Sequence, residues 1–415
     1  MRLLIKNIGT LAGILPANVL CLRGAEMNSA DVLHNAFVIV EDGVIVRYGA
    51  MEELGAVEAD EVVDGEGRVV FPAFCDSHSH IVYAGSREGE FRDKIAGMTY
   101  EEVAARGGGI LNSADRLAEA SEEELYEAAA KRAWRMIRSG AATLEIKSGY
   151  GLTMETELKM LRVVRRLQQT LPATIKATFL GAHAVGRAYK GRQAEYVEHV
   201  CRDMIPAVAE QGVAEFVDVF CDRGFFTPEE TAQILECGKR YGLRPKIHAN
   251  ELASSGGVQV GIEYGALSVD HLEEANEQDV RDLAASNTMP TVLPGASFFS
   301  NLPFAPARAM IDAGLPVAIA SDCNPGSSPS GNMMFLWSLG CIKMRLTPEE
   351  ALSALTINGA AALGLSHDRG AISVGRRADL VVSKPVPSLA YLPYSFGEEL
   401  VESVIINGKI VCRNE

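Results

Sequence analysis

Between residues 69 and 320, short apolar runs alternate with capped, amphipathic stretches, and this rhythm limits the possible folds more than any other feature. The runs fall at 142–146, 175–180, 216–220, 245–247, 267–269, 289–293 and 317–320; the run Val69-Val70-Phe71-Pro72-Ala73-Phe74 makes eight. Helix starts are written between them. Ser121 followed by Glu124 is a capping box, and the helix it opens is expected to run to Ser139 and stop at Gly140. Thr227-Pro228-Glu229-Glu230 and Thr347-Pro348-Glu349-Glu350 repeat the device with proline at the first helical position. Eight strands alternating with helices over residues 73–371 predict a (β/α)8 barrel of the TIM type. The competing doubly wound sheet is disfavoured because no G-x-G-x-x-G follows the first strand.

The two ends of the chain follow another pattern. Residues 36–40 and 44–47 flank Asp42-Gly43, and residues 401–406 and 409–412 flank Asn407-Gly408, so each pair reads as a hairpin. Together with a strand at 379–383, they predict a composite β-sandwich domain of residues 1–72 plus 372–415. The net charge of −15 and pI near 5.1 argue against nucleic acid and anionic membranes as partners and leave a small-molecule substrate. Eight cysteines without a C-x-x-C pair suit reduced thiols and a cytoplasmic protein. Arg2 and Lys6 before the apolar stretch 8–22 give only the outline of a signal peptide, which Pro16 and Asn18 interrupt. No apolar run of 18 residues occurs.

In a barrel of this kind, chemistry belongs to the loops at the C-terminal ends of the strands. Reading those ends in order gives His78 and His80, Lys147, His183, Asp222, His248, His271, Pro294 and Asp322, whereas His34, His199 and His367 lie elsewhere. Residues two apart on a strand face one side, so His78 and His80 can offer two imidazoles to one ion. His78, His80, His248 and Asp322 are the expected ligands of a single metal ion, zinc or iron, with zinc favoured. A fifth ligand would saturate the ion, so His271 is read instead as a group that binds water or polarises a carbonyl. Asp322, His271 and Glu251 are the candidates for moving protons. Lys147 is either a carbamylated bridge between two metals or a structural ion-pair partner, and the single-ion reading is preferred. Gly107-Gly108-Gly109 is a mobile cover or, more simply, a turn.

A barrel framed by a terminal β unit, with His-x-His after strand 1, histidines after strands 5 and 6 and aspartate after strand 8, resembles the amidohydrolase superfamily. Gly375-Arg376-Arg377-Ala378-Asp379-Leu380 is similar to its C-terminal signature. The stretches 80–88, Arg106-Gly107-Gly108-Gly109-Ile110, Lys147-Ser148-Gly149-Tyr150-Gly151, Gly181-Ala182-His183, His248-Ala249-Asn250-Glu251 and Asn324-Pro325-Gly326-Ser327-Ser328-Pro329 resemble the imidazolonepropionase family of histidine degradation. That resemblance spans nearly the whole chain. It implies hydrolysis of 4-imidazolone-5-propanoate to N-formimidoyl-L-glutamate and a homodimer. It places Arg87, Tyr100, Tyr150, His183, Glu251, Asn324, Gly326 and Ser327 at substrate or product positions. Arg87 suits the propanoate because a guanidinium presents a bidentate fork to a carboxylate, although an ion pair with Glu88 or Glu90 would explain it equally. Asn250 and Cys323 depart from the family pattern, where aspartate and phenylalanine are frequent. A purine or pyrimidine aminohydrolase is the alternative within the superfamily, and a non-enzymatic scaffold is the alternative outside it.

Overall fold

The computed structural model describes residues 1–98, 102 and 108–414. Its first sheet begins with β1 (Arg2–Ile14), β2 (Asp31–Glu41), β3 (Val44–Ala50), β4 (Glu61–Asp64) and β5 (Arg68–Pro72). The chain then enters a second, parallel sheet: β6 (Phe74–Asp76), β7 (Ala141–Lys147), β8 (Thr174–Ala182), β9 (Phe216–Cys221), β10 (Arg244–Pro245), β11 (Ile247–Ala249), β12 (Ser268–His271), β13 (Met289–Val292) and β14 (Ala318–Ile319). It returns to the first sheet with β15 (Leu380–Pro385), β16 (Val401–Ile406) and β17 (Lys409–Arg413).

The first sheet runs in the order β17-β16-β15-β5-β1-β2-β3, so β15 from one end lies against β5 from the other. Both expected hairpins form. Asp42 and Gly43 have φ of 48° and 85°, and Asn407 and Gly408 have 51° and 72°, the positive pair that a two-residue turn matching strand twist requires. Alternate residues point inward, and Leu3, Ile5, Val38, Val40, Leu380, Val382 and Ile405 share one apolar core. The small β-sandwich expected from the two termini is present. The stretch with the outline of a signal peptide is largely β1, and among the described residues no helix is long and apolar enough to cross a membrane.

The barrel strands pair in sequence order from β6 to β14, all parallel, with β10 extending β11 against β9. Closure occurs at the mouth. Ser79 bridges Cys323, Asp322 N donates to His78 O at 2.9 Å and His80 N donates to Cys323 O at 2.9 Å. Lys147 N donates to Ser79 O at 2.8 Å from the other side. The segment bearing His78 and His80 is therefore held extended although β6 ends at Asp76. The three anticipated capping boxes open helices Glu122–Arg138, Pro228–Arg240 and Pro348–Leu355, and Asn276 with Asp279 adds a fourth at Glu277–Ala284.

The apolar run at 69–74 is not one barrel strand. Val69 to Pro72 pair within the terminal sheet, and only from Phe74 does the chain join the barrel, where Phe74 N donates to Gly140 O at 2.9 Å. Phe71 and Phe74 both pack on buried Trp337, at centroid separations of 5.5 and 6.0 Å, so this short run is the hydrophobic joint between the units. The C-terminal signature is structural here. Arg376 is buried and donates to Val19 O at 2.5 Å and Arg369 O at 3.2 Å, and Asp379 Oδ1 accepts from Asn407 N at 2.7 Å. Of the glycine run, Gly107 lies outside the described residues; Gly108 caps and Gly109 begins helix Gly109–Glu119.

Candidate active site

Four donor atoms from three separate parts of the barrel converge at its mouth. His80 Nε2 lies 3.2 Å from His78 Nε2 and 3.4 Å from His248 Nε2; Asp322 Oδ1 lies 3.5 Å from His78 Nε2 and 3.4 Å from His80 Nε2. Ligands about 2.1 Å from one ion in a tetrahedron stand about 3.4 Å apart. The orientation of the rings points the same way. His78 Nδ1 donates to Asp270 Oδ2 at 2.6 Å and His248 Nδ1 to Asp218 Oδ1 at 3.0 Å. With those nitrogens protonated, both Nε2 atoms turn lone pairs into the same small space, an arrangement that a cation relieves. His80 Nδ1 is buried with no hydrogen-bond partner among the described residues. Burial and the neighbouring cations push all three imidazoles well below the usual histidine range, so they stay neutral. The residues therefore fit a metal ion. Asp322 has a φ of 48°, and its carboxyl is pushed up to about 6, chiefly by burial.

Behind the donors lies a layer of charge of which only Lys147 was singled out from the sequence. Lys147 Nζ is 2.8 Å from both Glu145 Oε1 and Asp218 Oδ2, and 3.5 Å from Asp270 Oδ2. Lys246 Nζ is 2.6 Å from Glu145 Oε2 and donates to Ser77 O at 2.8 Å. All of these side chains are fully buried. Of the two readings of Lys147, the geometry realises the ion pair.

A cavity of about 490 Å³ opens above the donors. Its lining includes His80, His248 and Asp322 together with Arg87, Tyr150, His183, Glu251, His271, Asn324, Gly326 and Ser327; Tyr100 lies outside the described residues. Arg87 lines the cavity and forms the expected ion pair with Glu90, whose Oε2 accepts from Nε at 2.9 Å and Nη2 at 2.6 Å. A Cβ on Gly326 would collide with Arg87 Nη1, so a larger residue there would displace the guanidinium from its place in the cavity wall. Asn324 spends its side chain on its own turn, accepting from Gly326 N and Ser327 N at 2.7 and 2.8 Å and donating to Asp322 O at 2.7 Å. Ser327 Oγ donates to Asp322 Oδ2 at 3.1 Å, so this loop also orients the carboxylate.

Across the cavity, His183 Nδ1 donates to Gly149 O at 3.0 Å, and burial lowers this imidazole to about 4. Glu157, another residue missed from the sequence, accepts from the backbone N–H groups of Gly149, Gly151 and Leu152, and so fixes the loop carrying Tyr150. His271 sits between two carboxylates, Nε2 at 3.5 Å from Glu251 Oε2 and Nδ1 at 3.3 Å from Glu273 Oε2. Its φ of 87° is strained for a residue with a Cβ, and such strain concentrates at functional sites. Although burial works against its charge, Glu251 and Glu273 hold His271 well above the usual histidine range. His271 also stands within 4.8 Å of the donors of His78 and His248, yet its nitrogens face the glutamates. Burial pushes Glu251 up to about 7. Its backbone N and that of Leu252 donate to Asp222 Oδ2 at 2.8 and 3.0 Å, which gives the strand-end Asp222 a bracing role.

Comparison with known proteins finds relatives along the whole chain. A model described as the amidohydrolase family matches residues 69–411. The imidazolonepropionase of Flavobacterium johnsoniae is 51% identical over 411 residues, covering 99% of this chain and 100% of that protein. That of Geobacillus kaustophilus is 44% identical over 414 residues, covering 99% and 97%. Among solved structures, the zinc complex of atrazine chlorohydrolase from Arthrobacter aurescens superposes with a TM-score of 0.73 at 15% identity, covering 99% of this chain and 95% of that one. Escherichia coli guanine deaminase gives 0.75 at 14%, covering 100% of both chains. At such identities the structures speak for the fold alone.

Proposed function

From the premise that the chain belongs to the amidohydrolase family, and within it to the imidazolonepropionases, we propose how its own residues open the ring. The reaction is hydrolysis of the cyclic amide of 4-imidazolone-5-propanoate to N-formimidoyl-L-glutamate, a step of histidine catabolism. We assign the chemistry to the barrel, residues 73–371, and a structural role to residues 1–72 with 372–415. One ion is assigned to His78, His80, His248 and Asp322; the nitrogen-rich donor set favours zinc, and elemental analysis separates it from iron. When bound, such an ion supplies Lewis acidity and an activated water whose pKa falls to about 7. The eight unpaired cysteines support a cytoplasmic setting.

Each residue then has a task. Arg87, held by Glu90, binds the propanoate, and Tyr150 and His183 flank the ring. The carbonyl carbon lies against the donor cluster, with protonated His271 polarising its oxygen. Asp322 takes the proton of the attacking water. Glu251, which carries a proton near neutrality, gives it to the ring nitrogen as the C–N bond opens. The Asn324-Ser327 turn keeps Asp322 aimed throughout.

The observation that carries this reading is that His80 Nε2 stands 3.2–3.4 Å from donors of His78, His248 and Asp322, with Asp322 3.5 Å from His78, beneath a cavity that Arg87 lines. Ring opening by the zinc-loaded protein, followed by the loss of imidazolone absorbance, tests it. Arg87→Ala should raise KM by about 30-fold or more, because losing a charged partner of a buried carboxylate costs at least about 2 kcal/mol. Unchanged KM removes the carboxylate role. Ammonia release from guanine or cytosine without ring opening replaces the reading by deamination, and no turnover of any cyclic amide returns the scaffold.

A further inference from the structure

We propose that Lys147 and Lys246 are positioning residues for the cation site, acting through Asp218, Asp270 and Glu145 to hold His248 and His78 in the ligating orientation. Neither lysine lines the cavity, so neither can touch substrate. Each aspartate faces two ways. Asp270 Oδ2 accepts from His78 Nδ1 at 2.6 Å and lies 3.5 Å from Lys147 Nζ, while its Oδ1 accepts from Ser268 Oγ at 2.5 Å. Asp218 gives Oδ1 to His248 Nδ1 at 3.0 Å and Oδ2 to Lys147 Nζ at 2.8 Å. Glu145 ties the lysines together through its two oxygens, at 2.8 and 2.6 Å. Lys246 also holds Ser77 O at 2.8 Å, beside His78 in the chain.

The arrangement follows from the strand period. Glu145 and Lys147 on β7, Ser268 and Asp270 on β12, and Lys246 and His248 are each two apart, so their side chains share the barrel interior. Two ammonium groups against three carboxylates leave one negative charge directly behind the ligands, where a bound cation meets it. Without the lysines, three carboxylates would be buried with no ammonium group beside them, a costly arrangement relieved by displacement of their side chains. That displacement loosens the hold on the histidine Nδ1 atoms and lets the rings turn.

This inference rests on the proposed ligand set but not on the identity of the substrate, and a metal-binding readout keeps the two separable. Chelated protein and its K147M, K246M, K147R and E251Q variants are titrated with Zn2+ against a chromophoric chelator. Cobalt-substituted samples report ligand geometry by visible absorption, and melting of the metal-free forms reports folding. K147M and K246M should each weaken Zn2+ binding by about 10- to 100-fold and shift the cobalt spectrum, as loss of outer-sphere partners does elsewhere. K147R should recover part of the affinity, and E251Q should bind Zn2+ as the parent does while losing ring opening. Folded K147M and K246M with parental affinity and spectrum overturn the proposal; so does K147R binding no better than K147M, because the role would then be packing. If K147M does not fold, D270N and S268A interrogate the same chain of contacts, and parental affinity in both overturns it. Parental protein that binds Zn2+ but opens no imidazolone ring counts against the function alone.

Discussion

The terminal sheet and the barrel interior use the same alternation to opposite ends. In the first sheet, every second residue is hydrocarbon: Leu3 and Ile5, Val38 and Val40, Leu380 and Val382 are fully or almost fully buried in one core. In the barrel, every second residue near the mouth is charged or polar, and Glu145, Lys147, Asp218 and Asp270 are as deeply buried as those aliphatics. Burying hydrocarbon stabilises by about 25 cal/mol per Å², whereas a buried ion pair at best offsets the loss of hydration. In the terminal sheet the alternation therefore serves stability alone, whereas in the barrel, whose own large apolar core lies outside the strands, the charged layer is tolerated, on our proposal, because it aims the proposed ligands. Removing one side chain from each region should separate the two quantities cleanly.

The largest effect is expected from His248→Ala. It should lower kcat/KM for ring opening by about 10³-fold or more, since the ion's contribution to the barrier is several kcal/mol. The metal-free melting temperature should move little, because Lys147 still pairs Asp218. Leu380→Ala should do the reverse. Leu380 is fully buried in the terminal core, and its truncation should cost about 3 kcal/mol in urea denaturation. Its kcat/KM, corrected for the folded fraction, should equal the parent's. A Leu380→Ala enzyme with tenfold lower kcat/KM would show that the sheet shapes the site and would erase the contrast.

The same contrast explains what could be read from the sequence. Strand rhythm, hairpin turns and capping boxes are local, so the barrel, the two hairpins and three helix starts were legible. The cluster of donors was legible because His78, His80, His248 and Asp322, which the structure brings together, stand where apolar runs stop. Where local signals failed, the deciding partner lay far away. The run 69–74 counts as one strand by its rhythm, yet up to Pro72, where the unit boundary was drawn, it is β5 and is claimed by β15, some three hundred positions on. Glu145, Lys246 and Asp270 are each a single polar residue in or beside an apolar run, with no local mark of a partner. Only the closed barrel brings them together, although their spacing of two from Lys147, His248 and Ser268 was a visible hint of a polar interior. Glu157 carries no local mark of its role, because its N–H partners belong to a loop that the helix folds back upon.

The smallest effect tests whether a purely local signal has a purely local consequence. Ser121 Oγ accepts from Glu124 N at 3.2 Å, and Ser121 N donates to Glu124 Oε2 at 2.8 Å, both exposed to solvent at the start of helix Glu122–Arg138. Ser121→Ala leaves one N–H of the first turn without its side-chain acceptor and should cost about 1 kcal/mol. The urea midpoint should fall at unchanged slope. Because the two bonds are reciprocal, the double change Ser121→Ala with Glu124→Ala should cost less than the sum of the single ones. The helix presses Leu125, Ala129, Ala133 and Met136 into the barrel core, so it stays docked when its cap is weakened. Zinc affinity and kcat/KM should both stay at the parental value. If Ser121→Ala instead loosened zinc, the outer helices would be coupled to the charged layer through β7, and the ligands' aim would depend on the whole barrel wall rather than on the lysines and aspartates behind them.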